Sequence, residues 1–308
     1  MYEARLGLQE QPFALVPDPR YFFASRGHRE AVQHLLYGIR RGEGFVVVTG
    51  EAGTGKTTLC RTLLKRLGSD VETALILNPS QSEEELLRTI LGDLGANAPP
   101  FATRKELLDA LTTHLLDRRA AGKRVVLIVD EAQHLPVSVL EQIRLLSNLE
   151  TDREKLIQII LVGQVALSAK LCHRRLRQLN QRVAVRFRLP RLRPKETRAY
   201  VRHRLCRAGS EGRNLFTPDA LQLVHYLSGG VPRLINMLCD RALLAMYARR
   251  LRRVRCSTIR VAWRSLYPSW DPVHSTVRPS MSLRAAACAV GLALALAGAM
   301  TLRMWPLP

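Results

Sequence analysis

A glycine-rich segment of this chain has the residue types and the spacing that bind phosphate groups. Its sequence, GEAGTGKT at residues 50–57, matches the pattern G-x-x-x-x-G-K-[ST] at every fixed position. Glycines let successive backbone N–H groups face the phosphates, aided by the positive end of the following helix. We expect Lys56 to reach the β- and γ-phosphates of a nucleoside triphosphate. The predicted nucleotide contacts are Gly50, Glu51, Ala52, Gly53, Thr54, Gly55, Lys56, Thr57 and Thr58.

Two adjacent carboxylates follow the apolar run VVLIV at residues 125–129. This run predicts a buried strand, which would place Asp130 at its carboxyl end beside the phosphate loop. Thr57 and Asp130 would then hold Mg²⁺, directly or through water. Glu131 would polarise the attacking water, unless it is simply an exposed acid at the start of a helix. A kinase or GTPase would less often need such a pair, so ATP hydrolysis is favoured.

Two amide side chains also end predicted strands, and each has two interpretations. Asn78 either hydrogen-bonds Glu131 and holds it away from water, or is a turn residue before Pro79. Gln164 either orients the nucleophilic water near the γ-phosphate, or is an ordinary loop amide.

Two arginines stand apart from the many others by their position. Arg182 precedes the last predicted strand, on a rim where the nucleotide of a neighbouring subunit could meet it. Arg233 begins a predicted helix, from which it could contact phosphate in its own subunit. Both roles require arginine, because its planar guanidinium can grip phosphate oxygens that gain charge in the transition state.

Five short apolar runs predict the sheet that must position these residues. They lie at residues 45–50, 73–78, 124–130, 156–163 and 182–189. Helical patterns separate these runs. Two of the helical patterns begin with the spacing of a capping box, one at Ser82 with Glu85 and the other at Thr103 with Glu106. A further helix is predicted over 138–150. The predicted fold class is α/β, with a parallel P-loop sheet sandwiched by helices.

After residue 189 the strand patterns stop, and Pro194, Pro218 and Pro232 each begin a helical pattern. This change predicts a small all-helical lid behind the core, followed by a Pro- and Ser-rich linker. The predicted divisions are a core at 1–190, a lid at 191–266, a linker at 267–284, a membrane span at 285–302 and a short external tail at 303–308.

The chain of 308 residues carries a formal net charge of +21, and nearly all of this excess lies in its second half. Residues 170–264 contain 24 Lys and Arg against four Asp and Glu. Such a concentration of positive charge attracts nucleic acid, anionic lipid headgroups or nucleotide phosphates. The alternative is that the arginines only lie on the solvent-exposed faces of helices. The six cysteines lack metal-ligand spacing, which argues against a disulfide framework and favours a reducing compartment.

Residues 285–302 carry no charged side chain. Eighteen residues at about 1.5 Å each would reach about 27 Å, close to the thickness of a bilayer core. Basic residues crowd the N-terminal side of this segment and only Arg303 follows it, so the positive-inside rule places the preceding chain in the cytoplasm. We see no signal peptide and predict a single-pass inner-membrane protein; a peripheral or partner-packed helix is the alternative.

Taken together, these motifs resemble those of the ExeA/GspA family of AAA+ ATPases. That family belongs to general (type II) secretion systems and has relatives in pilus-assembly loci. The likeness covers about residues 10–250 and includes, in order, PFALVPDPRYFFASRGHREAVQHLLYGI, GFVVVTGEAGTGKTTLCRTLL, VVLIVDEAQHL, LIQIILVGQ, RQLNQRVAVRFRLPRL and GGVPRLIN.

The resemblance implies an AAA+ sheet with a helical lid, and it assigns roles to the candidate residues. Lys56 and Thr57 would belong to Walker A, and Asp130 and Glu131 to Walker B. The remaining assignments are Gln164 at sensor 1, Arg182 at the arginine-finger position and Arg233 at sensor 2. The segment around His28 resembles the region that flanks the nucleotide, although His28 could equally lie on the surface.

The resemblance also implies a cytoplasmic ATPase that forms a homo-oligomer, one span and a periplasmic peptidoglycan-binding domain. A GspB-like inner-membrane partner would act with it to help an outer-membrane secretin assemble. The sequence differs from the family pattern at 163–167, where GQVAL replaces GQPEL. It ends six residues after Leu302, so we expect the periplasmic domain to be absent.

Two other functions remain open at this point. A DNA-binding regulatory ATPase, like the transposition helper proteins, would share the GTGKT and DEAQ motifs and would use the basic half for phosphate contacts. A decayed secretion component that no longer hydrolyses ATP is the third possibility, although Lys56, Asp130 and Glu131 are all present.

Overall fold

The computed structural model describes residues 2–16, 18–77, 82–97, 100–151, 154–210 and 212–267. Residues 1–265 form one compact unit, and a second unit begins at residue 266. The predicted linker beyond residue 267, the predicted span at 285–302 and the predicted tail lie outside the described residues. The domain boundary predicted at residue 190 stays a prediction.

A five-stranded parallel sheet forms the centre of the first unit. Its strands are β1 Phe45–Gly50, β2 Val71–Ile76, β3 Arg124–Val129, β4 Ile157–Gly163 and β5 Val183–Leu189. They lie in the order β2-β3-β4-β1-β5, so β1 lies between β4 and β5. The three middle strands are almost entirely buried, as expected when helices cover both faces of a sheet.

The helices cover the two faces in separate groups. In the described residues they are α1 Glu3–Leu6, α2 Arg26–Arg41, α3 Lys56–Leu64, α4 Glu83–Asp93, α5 Arg104–Ala120, α6 Val137–Leu146, α7 Val165–Leu171, α8 Arg177–Gln181, α9 Pro194–Arg207, α10 Pro218–Ser228, α11 Pro232–Ala248 and α12 Cys256–Leu266. Alternate residues of β1 face opposite sides. Val47 packs in a core with α4 to α7, whereas Val48 packs in a core with α2 and α3.

The predicted strands and helix starts are confirmed, with shifts at their ends. Both capping boxes are present, at the starts of α4 and α5. Each of the three prolines occupies the first turn of its helix, α9, α10 or α11. The fold is therefore α/β with a parallel sheet, and described residues after β5 are helical or form connections.

Two elements end earlier than predicted. β2 runs from Val71 to Ile76 instead of 73–78, because its pairing with β3 begins at Val71 opposite Arg124. The helix predicted over 138–150 is α6, which ends at Leu146. Ser147 follows it and donates its hydroxyl to the carbonyl of Arg144 at 2.6 Å.

No helix within the described residues is both long and apolar enough to cross a bilayer. The predicted span falls among the residues that are not described.

Candidate nucleotide site

The phosphate loop connects the end of β1 to the start of α3, which begins at Lys56. Gly53 and Gly55 have φ angles of 77° and 100°, a region that residues with a Cβ rarely adopt. A Cβ on Gly55 would also lie 2.9 Å from Nε2 of His28. Glycine is therefore required for the turn itself and for the close approach of its neighbours.

Lys56 is buried at the base of the loop, with 4% of its surface exposed. Its ammonium donates hydrogen bonds to the carbonyls of Gly50 at 3.2 Å and Glu51 at 3.1 Å. Burial lowers the pKa of Lys56, and the charges of Glu131 and Asp130 partly offset this effect. The ammonium thus lies near both carboxylates, where phosphate oxygens can replace the two carbonyls as its partners.

Thr57 and Asp130 meet across the β1–α3 turn and the end of β3. The hydroxyl of Thr57 donates to Oδ2 of Asp130 at 2.6 Å, and the backbone N–H of Glu131 donates to Oδ1 at 2.9 Å. Hydroxyl and carboxylate oxygens are the ligands that Mg²⁺ prefers, and the ion usually adds water and substrate phosphates to one or two such groups. The donor set therefore fits Mg²⁺.

Glu131 lines the same cavity as Lys56 and Thr57. Its backbone is left-handed, with φ of 50° and ψ of 34°. Oε2 accepts hydrogen bonds from Nε2 of Gln133 at 2.5 Å and from Nε2 of Gln164 at 3.4 Å. The structure thus brings Gln164 to the predicted base, whereas Asn78 lies outside the described residues and its role stays a prediction.

Arg182 follows α8 and points toward the end of α6. Its Nη1 donates to the hydroxyl of Ser147 at 2.8 Å and to Oδ1 of Asn148 at 2.5 Å. Arg182 is absent from the described residues that line the cavity of its own chain. The role of Arg182 that remains to be tested is therefore a contact with the nucleotide of a neighbouring subunit.

Arg233 lies against the phosphate loop, at the start of α11. Its backbone N–H donates to the carbonyl of Gly53 at 3.2 Å, and a Cβ on Gly53 would lie only 2.6 Å from Cβ of Arg233. The exposed side chain lines the cavity. The helical segment after β5 thus supplies a cation beside the loop.

A cavity of about 370 Å³ joins the loop to the N-terminal segment and to α9 and α11. This volume lies within the roughly 300–1,000 Å³ that is usual for small-molecule sites. Residues 53–58 contribute the phosphate end. The other lining residues are Ala14, Leu15, Val16, Asp18, Tyr21, Phe22, Phe23, His28, Glu131, Leu192, Tyr200, Arg204, Pro232, Arg233 and Asn236.

His28, left open by the sequence, is buried beside the loop with 6% of its surface exposed. Its Nδ1 is 2.7 Å from the hydroxyl of Ser25. Burial lowers the pKa of His28 to about 4, although a hydrogen bond with the backbone of Thr54 opposes this shift. The ring is therefore neutral near pH 7 and supports the loop as a packed, hydrogen-bonded group.

Two further contacts of the site were missed by reasoning from the sequence. Arg191, just after β5, donates hydrogen bonds to both carboxylate oxygens of Glu51, with Nε 2.7 Å from Oε1. These hydrogen bonds hold the pKa of Glu51 below its usual value. Gln133 donates a hydrogen bond to Glu131 directly. The position of Gln133 in the motif DEAQ was the only local sequence signal for its contact with Glu131. Nothing in the sequence indicates that residues 51 and 191 form a pair.

Comparison with known proteins agrees with this geometry. Residues 39–171 match the protein family described as the AAA domain. The chain is 51% identical over 249 residues to General secretion pathway protein A of Aeromonas hydrophila, in a match that covers 81% of this chain and 45% of that protein. It therefore spans less than half the length of this relative.

Two further similarities are more distant. ATP-dependent target DNA activator B of Escherichia phage Mu is 36% identical over 121 residues, which is 39% of this chain and 35% of that protein. The solved structure of the Aeropyrum pernix ORC2 protein in ADPNP–ADP complexes has a TM-score of 0.65, covering 86% of this chain and 74% of that one. At 17% identity, this second likeness concerns the fold alone.

The AAA domain match, the phosphate loop with its adjacent acid pair, and the long match to General secretion pathway protein A together define the family. This chain belongs to the ExeA/GspA family of AAA+ ATPases.

Proposed function

We propose that the chain binds ATP with Mg²⁺ and hydrolyses it by in-line attack of water. The observation that carries this proposal is the convergence of Lys56, Thr57, Asp130 and Glu131 at one end of the sheet, next to a cavity of nucleotide size.

Each residue of this group has a defined task in the proposed reaction. Lys56 binds the β- and γ-phosphates, and the backbone N–H groups of residues 53–57 cradle them. Thr57 and Asp130 hold the metal, and bound Mg²⁺ would neutralise phosphate charge and orient the oxygens. Glu131 accepts a hydrogen bond from the attacking water and orients it, while Gln164 remains beside Glu131.

Two arginines would complete the charge stabilisation. We assign Arg233 to phosphate in its own chain, because it begins α11 against the phosphate loop. We assign Arg182 to the nucleotide of an adjacent copy, since its guanidinium lies at the end of α6 and away from its own cavity. The active form would then be a homo-oligomer, and the monomer would hydrolyse ATP slowly.

For the cellular role, we propose that this ATPase supports the assembly of a membrane secretion or pilus complex. The match to General secretion pathway protein A supports this role. The chain covers only 45% of that relative, so its partners are inferred as well. A GspB-like inner-membrane protein is the partner we expect, with residues 285–302 as a single inner-membrane span and the ATPase in the cytoplasm.

ATP hydrolysis by the purified full chain tests the enzymatic proposal. Phosphate release should require Mg²⁺, stop with excess EDTA, and fall about 10²-fold or more in Lys56→Ala. Lys65→Ala, which removes an exposed lysine at the other end of α3, is the matched control and should retain activity. Equal rates in wild type and Lys56→Ala would contradict the proposed site.

A DNA-binding regulatory ATPase is the second candidate, and a specific surface favours it. Residues 249–265 contain no Asp or Glu, and seven arginines in this region are exposed. They are Arg249, Arg250, Arg252, Arg253, Arg255, Arg260 and Arg264. The similarity to target DNA activator B points in the same direction.

The salt dependence of duplex binding distinguishes the two candidates. A DNA-binding role requires affinity that falls steeply with salt. Replacing Arg252, Arg253 and Arg255 by glutamine should make this dependence shallower, by a slope of about one for each phosphate that the protein no longer neutralises. The control replaces the exposed cations Lys65, Arg66 and Lys105, which gives the same charge change elsewhere. Equal binding by both triple variants would exclude this surface as the DNA site.

A further inference from the structure

Gln133 occupies the short turn Ala132–His134 directly after the Walker B acids. Its Nε2 donates to Oε2 of Glu131 at 2.5 Å, while its Oε1 accepts from the backbone N–H of Gln164 at 2.9 Å. Both ends of the amide are therefore used at once. Because one end must accept and the other must donate, the two hydrogen bonds define the orientation of the side chain.

The surroundings of Gln133 leave little freedom to this bridge. A Cβ on Gly163, at the end of β4, would lie 2.7 Å from Oε1 of Gln133, so the glycine is needed to admit the amide. Lys170 of α7 donates to the carbonyls of Gln133 at 2.9 Å and of Leu135 at 2.5 Å. The turn is thus tied to the end of β4 and to the helix that follows it.

Glu131 itself is held in a sparsely populated conformation. For a residue with a side chain, the left-handed region costs about 1–2 kcal/mol, and such a conformation persists only when neighbouring groups impose it. In the described part of the chain, the side-chain amides of Gln133 and Gln164 donate hydrogen bonds to the carboxylate of Glu131. These two hydrogen bonds can fix the carboxylate although the backbone of Glu131 is strained.

We propose that Gln133 is a positioning residue, which fixes the carboxylate of Glu131 against the end of β4 so that it faces the attacking water. A movement of the Gln164 backbone would then be passed to Glu131 through a single side chain. This inference rests on the proposed hydrolytic role of Glu131 but is separable from it, because Gln133 itself touches neither phosphate nor metal in that proposal.

Removing the amide of Gln133 should affect the chemical step. The carboxylate loses a restraint on its orientation, which lowers the rate of the chemical step more than the binding of ATP.

The test compares Gln133→Met, which keeps the length of the side chain, with Gln222→Met at an exposed position of α10. We expect kcat of the first variant to fall about 10-fold or more with KM for ATP within about twofold, while the control is unchanged. Melting temperatures of the apo proteins show whether both variants are folded.

A double-variant cycle links the effect to Glu131. In the Glu131→Gln background, adding Gln133→Met should cause no further loss, because the carboxylate it positions is gone. If Glu131→Gln reduces activity but a folded Gln133→Met keeps the wild-type kcat, or gains rate, the positioning role is wrong and the hydrolytic role stands. If Glu131→Gln is as active as wild type, the proposed function itself fails.

Discussion

At the scale of single residues, His28 illustrates how burial turns a titratable group into part of the structure. The ring is packed edge-on to Phe22, with centroids 5.6 Å apart, and touches both Ser25 and the phosphate loop. Its pKa is lowered to about 4 by burial, so protonation is unfavourable in the folded state. Lowering the pH should therefore reduce the free energy of unfolding through the protonation of His28.

The sign of that effect can be predicted. Between pH 6.5 and 4 the unfolded chain binds a proton at His28 that the folded chain does not, so stability falls as the pH falls through this window. From pH 7.5 to 5, we expect wild type to lose about 2 kcal/mol more unfolding free energy than His28→Gln. Urea unfolding of both proteins at the two pH values measures this difference.

The comparison between the two proteins is essential, because burial also lowers the pKa of His203 and His225. Those histidines titrate in both proteins and cancel in the difference. An equal loss of stability in wild type and His28→Gln would show that His28 is accessible to protons in the folded state.

At the scale of elements, α5 shows how a local signal defines the start of a helix. Thr103 accepts from the backbone N–H of Glu106 at 3.4 Å, and the carboxylate of Glu106 accepts from the backbone N–H of Thr103 at 2.7 Å. The side chains thereby satisfy donors that have no partner inside the helix. The apolar face of the helix, from Leu107 to Leu115, packs in the core.

Thr103→Ala should lower the free energy of unfolding by about 1 kcal/mol, because it removes the N-cap acceptor. Thr113→Ala in the middle of the same helix is the matched control. It should leave stability unchanged or raise it slightly, since alanine has the higher helix propensity. Chemical denaturation of the three proteins measures both effects. If Thr103→Ala were as stable as Thr113→Ala, the cap would contribute nothing.

Elements could be predicted from the sequence because their signals are local. The run FVVVTG predicted β1 at its observed bounds, and the prolines predicted the starts of α9, α10 and α11. The start of β2 could not be predicted, because pairing with β3 decides it.

The same distinction applies to the site. The predicted site residues Lys56, Thr57, Asp130 and Glu131 belong to two short contiguous motifs. The structure places Thr57 against Asp130 and Lys56 near both carboxylates. The burial of His28 depends on packing between elements that are distant in sequence. The same is true of the Glu51–Arg191 ion pair, which no local pattern marks.

At the scale of the whole molecule, the proposed active site requires more than one copy of the chain. Lys56 and Arg233 line one cavity, whereas Arg182 contacts Ser147 and Asn148 at the end of α6. If Arg182 acts on a neighbouring nucleotide, each active site consists of two subunits. Two different inactive variants can then restore each other.

Mixing Lys56→Ala with Arg182→Ala tests this arrangement. Each variant alone should be nearly inactive, with the arginine change costing about 10³-fold. In a random equimolar closed ring, about one quarter of the interfaces combine an intact Lys56 with an intact Arg182, so activity should recover toward that fraction. Mixtures no more active than their components would contradict a composite site. A wild-type rate of ATP hydrolysis per chain that does not depend on protein concentration would also contradict a composite site.

The central claim is that Lys56, Asp130 and Glu131 act on one Mg²⁺-bound ATP, and the nucleotide retained by Glu131→Gln tests it most directly. This variant keeps the phosphate and metal ligands but replaces the base by a neutral amide of the same shape. After incubation with Mg²⁺ and radiolabelled ATP, rapid desalting and acid quench, we expect Glu131→Gln to hold intact ATP with turnover reduced about 10²-fold or more. Retention of ADP formed at the wild-type rate, or failure of both wild type and variant to retain any nucleotide, would contradict it.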